Sequence, residues 1–136
     1  MAIRRVYIDS CVLMVAFRAE AEFSDAAIAL LDDPEAVCLY SRVTELEVLP
    51  KPAFFGRHEE CEFYLTFFRA SERVPCTEQV LDQALEVAKR NGLGAGDALH
   101  VACAVAGGAD ELVTSEKMEK LPSAPSPGIS IRTLRS

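Results

Sequence analysis

Three things are scarce in this sequence, and each scarcity closes off a class of protein. No apolar run approaches the ~20 residues that a helix needs to cross a bilayer. The longest near the amino terminus, CVLMVAF from Cys11 to Phe17, is far shorter. Arg4 and Arg5 precede a short strand-like run, and no small-residue cleavage site follows CVLMVAF, so neither a signal peptide nor a membrane association is expected. Paired cysteines are also missing. The five present (Cys11, Cys38, Cys61, Cys76 and Cys103) are odd in number and form no CxxC pair. Most lie in apolar runs such as AVCLY and HVACAVA, so they read as reduced thiols packed as small hydrophobes, in a cytoplasmic setting. Positive charge is in deficit: 14 basic against 21 acidic side chains give a net charge of -7. That excludes a protein that coats nucleic acid by general attraction, because such binding runs on Lys and Arg neutralising phosphates. It leaves room for a chain that gathers its acids at one place and keeps basic groups on a rim.

The chain has 136 residues, half of them hydrophobic. That is the size of one domain, 1–136, able to bury well over half of its unfolded surface without disulfides or structural metal. Arg4 to Ile8 is β-branched and aromatic and predicts a first strand ending at Asp9. Ser10 is placed to cap a helix from Cys11. SDAAIALLDD from Ser24 carries helical spacing and stops before Pro34. Ala36 to Tyr40 predicts a buried strand. SRVTELEVL, Ser41 to Leu49, predicts a helix that halts at Pro50 and Pro52. RHEECEFYLTFFRA, Arg57 to Ala70, predicts an amphipathic helix rich in Phe, and Arg73 to Pro75 a brief strand. Thr77 caps a helix that carries Lys89 and Arg90 in its last turn and ends at Gly92. Gly94-Ala95-Gly96 is read as a loosened stretch before a small-residue helix from Asp97 to Ala106. Glu111 to Thr114 predicts a strand, Pro122 to Gly128 a surface loop, and Ile129 to Leu134 a closing strand. Strands and helices alternate throughout, with no repeat and no linker. The expectation is an α/β domain, a mainly parallel central sheet with helices on both faces.

In such a sheet, ligands bind beyond the carboxyl ends of the strands. Asp9 ends the first strand, Glu47 follows the second on a short helix, Asp97 opens a buried helix, and Glu116 lies just past ELVT. Four acids from separate parts of the chain thus converge on one edge. Hard divalent cations such as Mg²⁺ prefer all-oxygen surroundings, and such ions activate water and stabilise the leaving oxygen of a phosphodiester. Each acid alone reads equally as a helix cap or a solvated charge. For Asp97 the cap reading is a fair one, since an acid at a helix amino terminus needs no metal to be favourable. His100 lies one turn after Asp97 and reads as packed or hydrogen-bonded in its helix rather than catalytic. His58, in GRHEE, carries no chemistry. Arg18, Arg42, Lys51, Arg57 and Lys117 flank the acids and suit phosphate contact as positioning, or simply a solvated face.

The segments VYIDSCVL, SRVTELEVLPKP, LGAGDALHVACAVAGGADELVTSEKMEKL and PGISIRTL, in that order, resemble a PIN domain of the VapC-like toxin kind. The match is weakest from about Phe54 to Leu85. The resemblance implies a metal-dependent ribonuclease using Mg²⁺ or Mn²⁺ on single-stranded or structured RNA. It implies that Asp9, Glu47, Asp97 and Glu116 are the catalytic metal ligands, and that Ser10 and Thr114 orient them or a bound water. Glu47, three positions after Thr44 and before Val48-Leu49, is the matching acid; Glu45 is its neighbour. The family's Thr-x-Asp turn reads Thr114-Ser115-Glu116 here, a departure that leaves the second cation position open.

A toxin-like role implies an RNA substrate and an antitoxin partner. The stretch EFYLTFFRA offers either a face for that partner or for a homodimer, or ordinary core packing. Two rival functions stand beside the nuclease. Aspartyl-phosphate hydrolases also place an Asp after the first strand, but need an acid two residues later, where this chain has Cys11. A catalytically impaired PIN-like module that binds RNA or protein is the other, and metal-dependent cleavage of RNA separates it from the enzyme.

Overall fold

The computed structural model of the chain describes residues 3–19, 22–116 and 129–134. Five strands, β1 (Arg4–Ile8), β2 (Ala36–Ser41), β3 (Glu72–Val74), β4 (Glu111–Thr114) and β5 (Ser130–Thr133), form one sheet in the order β3-β2-β1-β4-β5. Every pairing is parallel. Between them run α1 (Ser10–Arg18), α2 (Ser24–Leu31), α3 (Arg42–Val48), α4 (Pro50–Phe54), α5 (His58–Arg69), α6 (Glu78–Asn91) and α7 (Ala95–Ala106). The expected α/β architecture is the one observed.

The two-residue period of the strands divides the core in two. Val6, Ile8, Cys38, Tyr40 and Val113 face α1, α2, α3 and α5, where Leu13, Tyr64, Phe67 and Phe68 complete the packing. Tyr7, Leu39, Val74 and Leu112 face α6 and α7, against Val80, Val87, Val101 and Cys103. Helices therefore cover both faces. The chain winds from β1 out to β3, then returns through α7 to the other side of β1, so the strand order reverses between β1 and β4. At such a switch point the flanking connections diverge and leave a crevice at the strands' carboxyl ends.

Several local details differ from the sequence reading. Asp9, not Ser10, takes the extended N-cap position of α1, and Ser10 is its first, buried residue. The prolines end α3 but also start α4, with Pro50 at its first position, where a missing N–H costs nothing. Gly94 is the N-cap of α7, so Ala95 and Gly96 are helical and Asp97 sits inside the first turn. Thr77 caps α6 as expected, accepting from the Val80 amide at 3.2 Å, and Gly92 closes it at φ 65. The aromatic rings of α5 settle the open question about EFYLTFFRA: Tyr64, Phe67 and Phe68 are core residues. The exposed rings are Phe54 and Phe55, at 83% and 62%. The loop expected over Pro122 to Gly128 lies outside the described residues. Among those described, no helix is long and apolar enough to cross a membrane.

The packing of α7 on the sheet is close at its carboxyl end. A Cβ at Gly107 would fall 2.6 Å from Val74 Cγ2 and 3.3 Å from the Cys103 carbonyl. One contact is to a β-branched core side chain and the other to backbone, so neither yields freely. Gly107→Ala is expected to destabilise the fold by about 1–3 kcal/mol, the usual cost of overpacking, measured by urea denaturation. Wild-type stability in this variant would mean that β3, a short edge strand, shifts to make room.

Candidate active site

The crevice between β1 and β4 is a cleft of about 340 Å³ lined by Asp9, Ser10, Cys11, Met14, Glu47, Asp97 and Glu116. The structure thus brings all four sequence-expected acids to one opening, from four different connections. Asp9 arrives at the end of β1, held by its amide to the Val113 carbonyl at 3.0 Å. Glu47 stands on α3, Asp97 in the first turn of α7, and Glu116 two residues past β4. A slightly larger groove of about 390 Å³ between α6 and α7 is rimmed by Asp82, Glu86 and Arg90. Those charges belong to the solvated face of one helix and converge on nothing.

Hydroxyls fix two of the acids. Thr114 Oγ1 donates to Asp9 Oδ2 at 2.8 Å and accepts the Glu116 amide at 3.1 Å. Ser10 Oγ donates to Glu47 Oε1 at 2.6 Å. Ser10 and Thr114 therefore stand where they orient carboxylates. The Cys11 thiol lies 3.4 Å from Asp9 Oδ2 and 3.3 Å from Thr114 Oγ1. Burial first, and then the charge of Asp9, pushes it up to about 11, so it stays protonated at neutral pH.

His100 occupies a position the sequence did not give it. It is 2% exposed, and its bonds leave the helix instead of staying within it. Nε2 lies 2.5 Å from Glu47 Oε1 and 3.7 Å from Asp9 Oδ1. Nδ1 lies 2.8 Å from the Tyr7 hydroxyl, which lies 2.7 Å from Ser41 Oγ. The three-residue spacing from Asp97 put His100 on the right face of α7. Nothing in the sequence marked Tyr7 or Ser41 as its partners.

The electrostatics of the acids diverge. The hydrogen bond from His100, joined by that from Ser10, holds Glu47 below the ordinary carboxylate range against the effect of burial. Asp97 is raised, first by burial, then by the charge of Asp9 and, less strongly, of Glu116 and Glu47, with only His100 opposing. Glu45 is elsewhere: it pairs with Arg42 at 2.8 Å and borders a different groove with Leu46 and Pro50. None of Arg18, Arg42, Lys51 or Arg57 lines the cleft. Lys117 lies outside the described residues.

Among the described residues no three Asp, Glu, His or Cys side chains already close into a ligand cage. What the cleft offers is a rim of hard oxygens around uncompensated negative charge, with its one thiol protonated. That chemistry fits Mg²⁺ or Mn²⁺ and not a thiophilic ion.

A family model described as PIN domain matches residues 6–120. No protein of curated function matches the chain in sequence. Solved structures do resemble its fold. A VapBC2 complex from Rickettsia felis, bound to a DNA fragment from its promoter, contains a chain with a TM-score of 0.70 at 15% identity, covering 95% of this chain and 98% of that one. DNA-bound VapBC from Salmonella typhimurium gives 0.70 at 16% identity, over 96% and 98%. The Mycobacterium tuberculosis VapC20 toxin, described as cleaving the sarcin-ricin loop, gives 0.59 at 14% identity, over 79% and 86%. At these identities the likeness speaks to the fold alone.

Crowding of the acids has a measurable consequence. Asp97 has a folded pKa above its unfolded one, so its ionised form opposes folding at neutral pH, and that opposition fades as pH falls through the raised value. Asn keeps the shape without the charge. Its role as a cap is not in question, because Gly94 occupies the N-cap. Asp97→Asn is expected to melt above wild type in EDTA at neutral pH, with the gap closing as pH drops toward the ordinary carboxylate range. Added Mn²⁺ is expected to raise the wild-type melting temperature and leave the variant nearly unmoved. A variant that melts well below wild type in EDTA at every pH would make Asp97 a structural residue.

Proposed function

The chain belongs to the PIN domain family, and from that premise we propose that it is a divalent-metal-dependent endoribonuclease, the toxin of a toxin–antitoxin pair. The observation that carries this reading is the cleft itself: Asp9, Glu47, Asp97 and Glu116 meet at the topological switch point, and Asp97 is raised by burial first and then by the charge of Asp9. A gathering of acids that fold against their own repulsion is what a cation site requires before the cation arrives. The neighbours in fold described above support the biological setting, since they are toxins or toxin–antitoxin complexes, and one is described as cleaving the sarcin-ricin loop.

A bound Mg²⁺ or Mn²⁺ would supply Lewis acidity toward a phosphodiester oxygen and a water acidic enough to attack at neutral pH. The residues of the chain do the rest. Asp9, Glu47 and Asp97 present oxygens to the cleft. Thr114 and Ser10 each donate to one oxygen of their carboxylate, Asp9 Oδ2 and Glu47 Oε1. Glu116 reaches the same cleft on a side chain one methylene longer than the family's usual Asp, and supports a second cation position. Lys51 and Arg57 are exposed and enter no ion pair among the described residues, which suits them to RNA phosphates, while Arg42 is held by Glu45. Such contacts position the backbone and do not read its sequence. The partners of this reading are an RNA substrate, an antitoxin and a second copy of the chain, in the cytoplasm.

Incubation of the purified chain with single-stranded RNA and Mg²⁺ or Mn²⁺ is expected to give cleavage that EDTA abolishes. Glu47→Gln is expected to lower the rate by on the order of a hundredfold or more, beyond what loss of an outer-shell partner costs. Glu45→Gln is expected to retain most activity, since its carboxylate serves Arg42 outside the cleft. Cleavage undiminished in EDTA would end the metal-dependent reading. Retained RNA binding without cleavage under any metal would favour the impaired binding module.

Glu116 admits a separate test. If it binds metal, Glu116→Asp is expected to preserve or raise the rate and Glu116→Ala to lower it. Equal rates for all three side chains would mean that the site works with three acids.

A further inference from the structure

We propose that His100 is a positioning residue for Glu47, backed by Tyr7 and Ser41 in a hydrogen-bond chain that crosses the core. The proposal rests on the reading of the cleft as a metal-dependent site and adds to it what sets the geometry of one ligand.

The chain of contacts is continuous, and it is buried from Ser41 through Tyr7 to His100. Ser41 closes β2 and is also the N-cap of α3, the helix that carries Glu47, where it shares a capping box with Thr44. Its hydroxyl meets that of Tyr7, the next-to-last residue of β1, at 2.7 Å. Tyr7 meets His100 Nδ1 at 2.8 Å, and Nε2 meets Glu47 Oε1 at 2.5 Å. Tyr7 and Ser41 are wholly inaccessible. Such groups are costly in a core unless fully satisfied, and among the described residues none is left without a partner.

A carboxylate only accepts, so Nε2–H donates to Glu47 Oε1. In that tautomer Nδ1 accepts from the Tyr7 phenol, which burial keeps from losing its proton, and Ser41 donates to the phenol oxygen.

The effect on Glu47 is a locked rotamer. Oε1 is taken by His100 and Ser10 together. The other oxygen, Oε2, lies where a Cβ at Gly96 would come within 3.2 Å, so α7 bounds it on that side. A long, otherwise mobile Glu side chain is thereby reduced to one presentation. His100 does not line the cleft, which separates it from residues that touch substrate. Partners that orient a metal ligand typically contribute 10–100-fold in metal affinity or activity.

The test compares His100→Leu, His100→Gln and Tyr7→Phe. Gln can place an amide N–H near the position of Nε2, whereas Leu cannot. The first measurement is the Mn²⁺ concentration that half-saturates the rise in melting temperature, with no RNA present. Expected is a shift of about tenfold or more for His100→Leu, recovery of most of it in His100→Gln, and a smaller shift in the same direction for Tyr7→Phe, which removes one link and keeps the ring. The second is RNA cleavage at saturating Mn²⁺, where His100→Leu is expected to lose kcat with KM for RNA little changed. Wild-type Mn²⁺ half-saturation in both His100→Leu and Tyr7→Phe would overturn the proposal. So would His100→Gln as impaired as His100→Leu, because volume and not the donor would then be at stake. Should His100→Leu not fold, Tyr7→Phe against His100→Gln decides by the same readout. Mn²⁺ binding in the wild type without RNA cleavage would remove the nuclease reading and leave the positioning test intact.

Discussion

Like charge in a half-buried cleft is the constraint on which this structure turns. Two carboxylates about 6 Å apart repel by about 3 kcal/mol at the effective dielectric of a protein rim. Four connections nevertheless deliver an acid to one opening between β1 and β4. The fold meets the repulsion with oriented dipoles. Asp9 is the N-cap of α1, and Asp97 lies in the first turn of α7, so two helix amino termini face the acids. Thr114, Ser10 and His100 add donors aimed at individual oxygens. The compensation is partial: Asp97 is raised by burial first, and the charges of Asp9, Glu116 and Glu47 add to that rise with only His100 opposing. A residue of negative charge is left over in the cleft.

The opposite end of the same sheet is built the other way. There Arg4 bridges Asp33 and Glu111, both at 2.9 Å, Arg132 joins Glu111 at 3.0 Å, and Arg5 pairs with Glu72 at 3.0 Å while also donating to the Gly107 carbonyl. Each of these exposed pairs is worth little on its own. Their placement matters more than their sum. Acids at the amino end of the strands have basic partners, whereas those at the carboxyl end have hydroxyls and one imidazole. Part of the net charge of -7 thus lies without basic partners in the crevice that the strand order creates.

The architecture was legible in the sequence because it rests on local signals: β-branched strands, helical spacing, Thr77 as a cap and Gly92 as a stop. The placing of the acids was legible too, since strand ends in a parallel sheet share one edge. What could not be read is what depends on pairs distant in sequence. His100 looked like a packed helix residue because its partners, Tyr7 and Glu47, lie 93 and 53 positions away. Tyr7 looked like an ordinary strand aromatic. The Phe-rich stretch of α5 offered two destinations, and the choice was made by Tyr40 and Phe17, whose rings stack on Phe68 and tilt against Phe63. Ser10 was misjudged at the level of one residue: the extended backbone of Asp9 supplies the cap, which frees the Ser10 hydroxyl for Glu47.

Gly94-Ala95-Gly96 shows how a correct observation can carry the wrong cause. Three small residues before Asp97 suggest a flexible approach to a helix. Two of them are in the helix, and at Gly96 the reason for the small size is proximity. Glu47 Oε2 lies against Gly96, near enough that any Cβ there would stand within 3.2 Å of it. An unconstrained Glu would swing aside by a few tenths of an ångström at little cost. This one cannot do so freely, because its other oxygen is held by both Ser10 and His100, and His100 is held in turn by Tyr7. A side chain larger than hydrogen at position 96 would therefore act on the carboxylate through contact while the hydrogen bonds resist from the other side. The small residue and the buried hydrogen-bond chain are two halves of one restraint, and the glycine belongs to the site even though it bears no functional group.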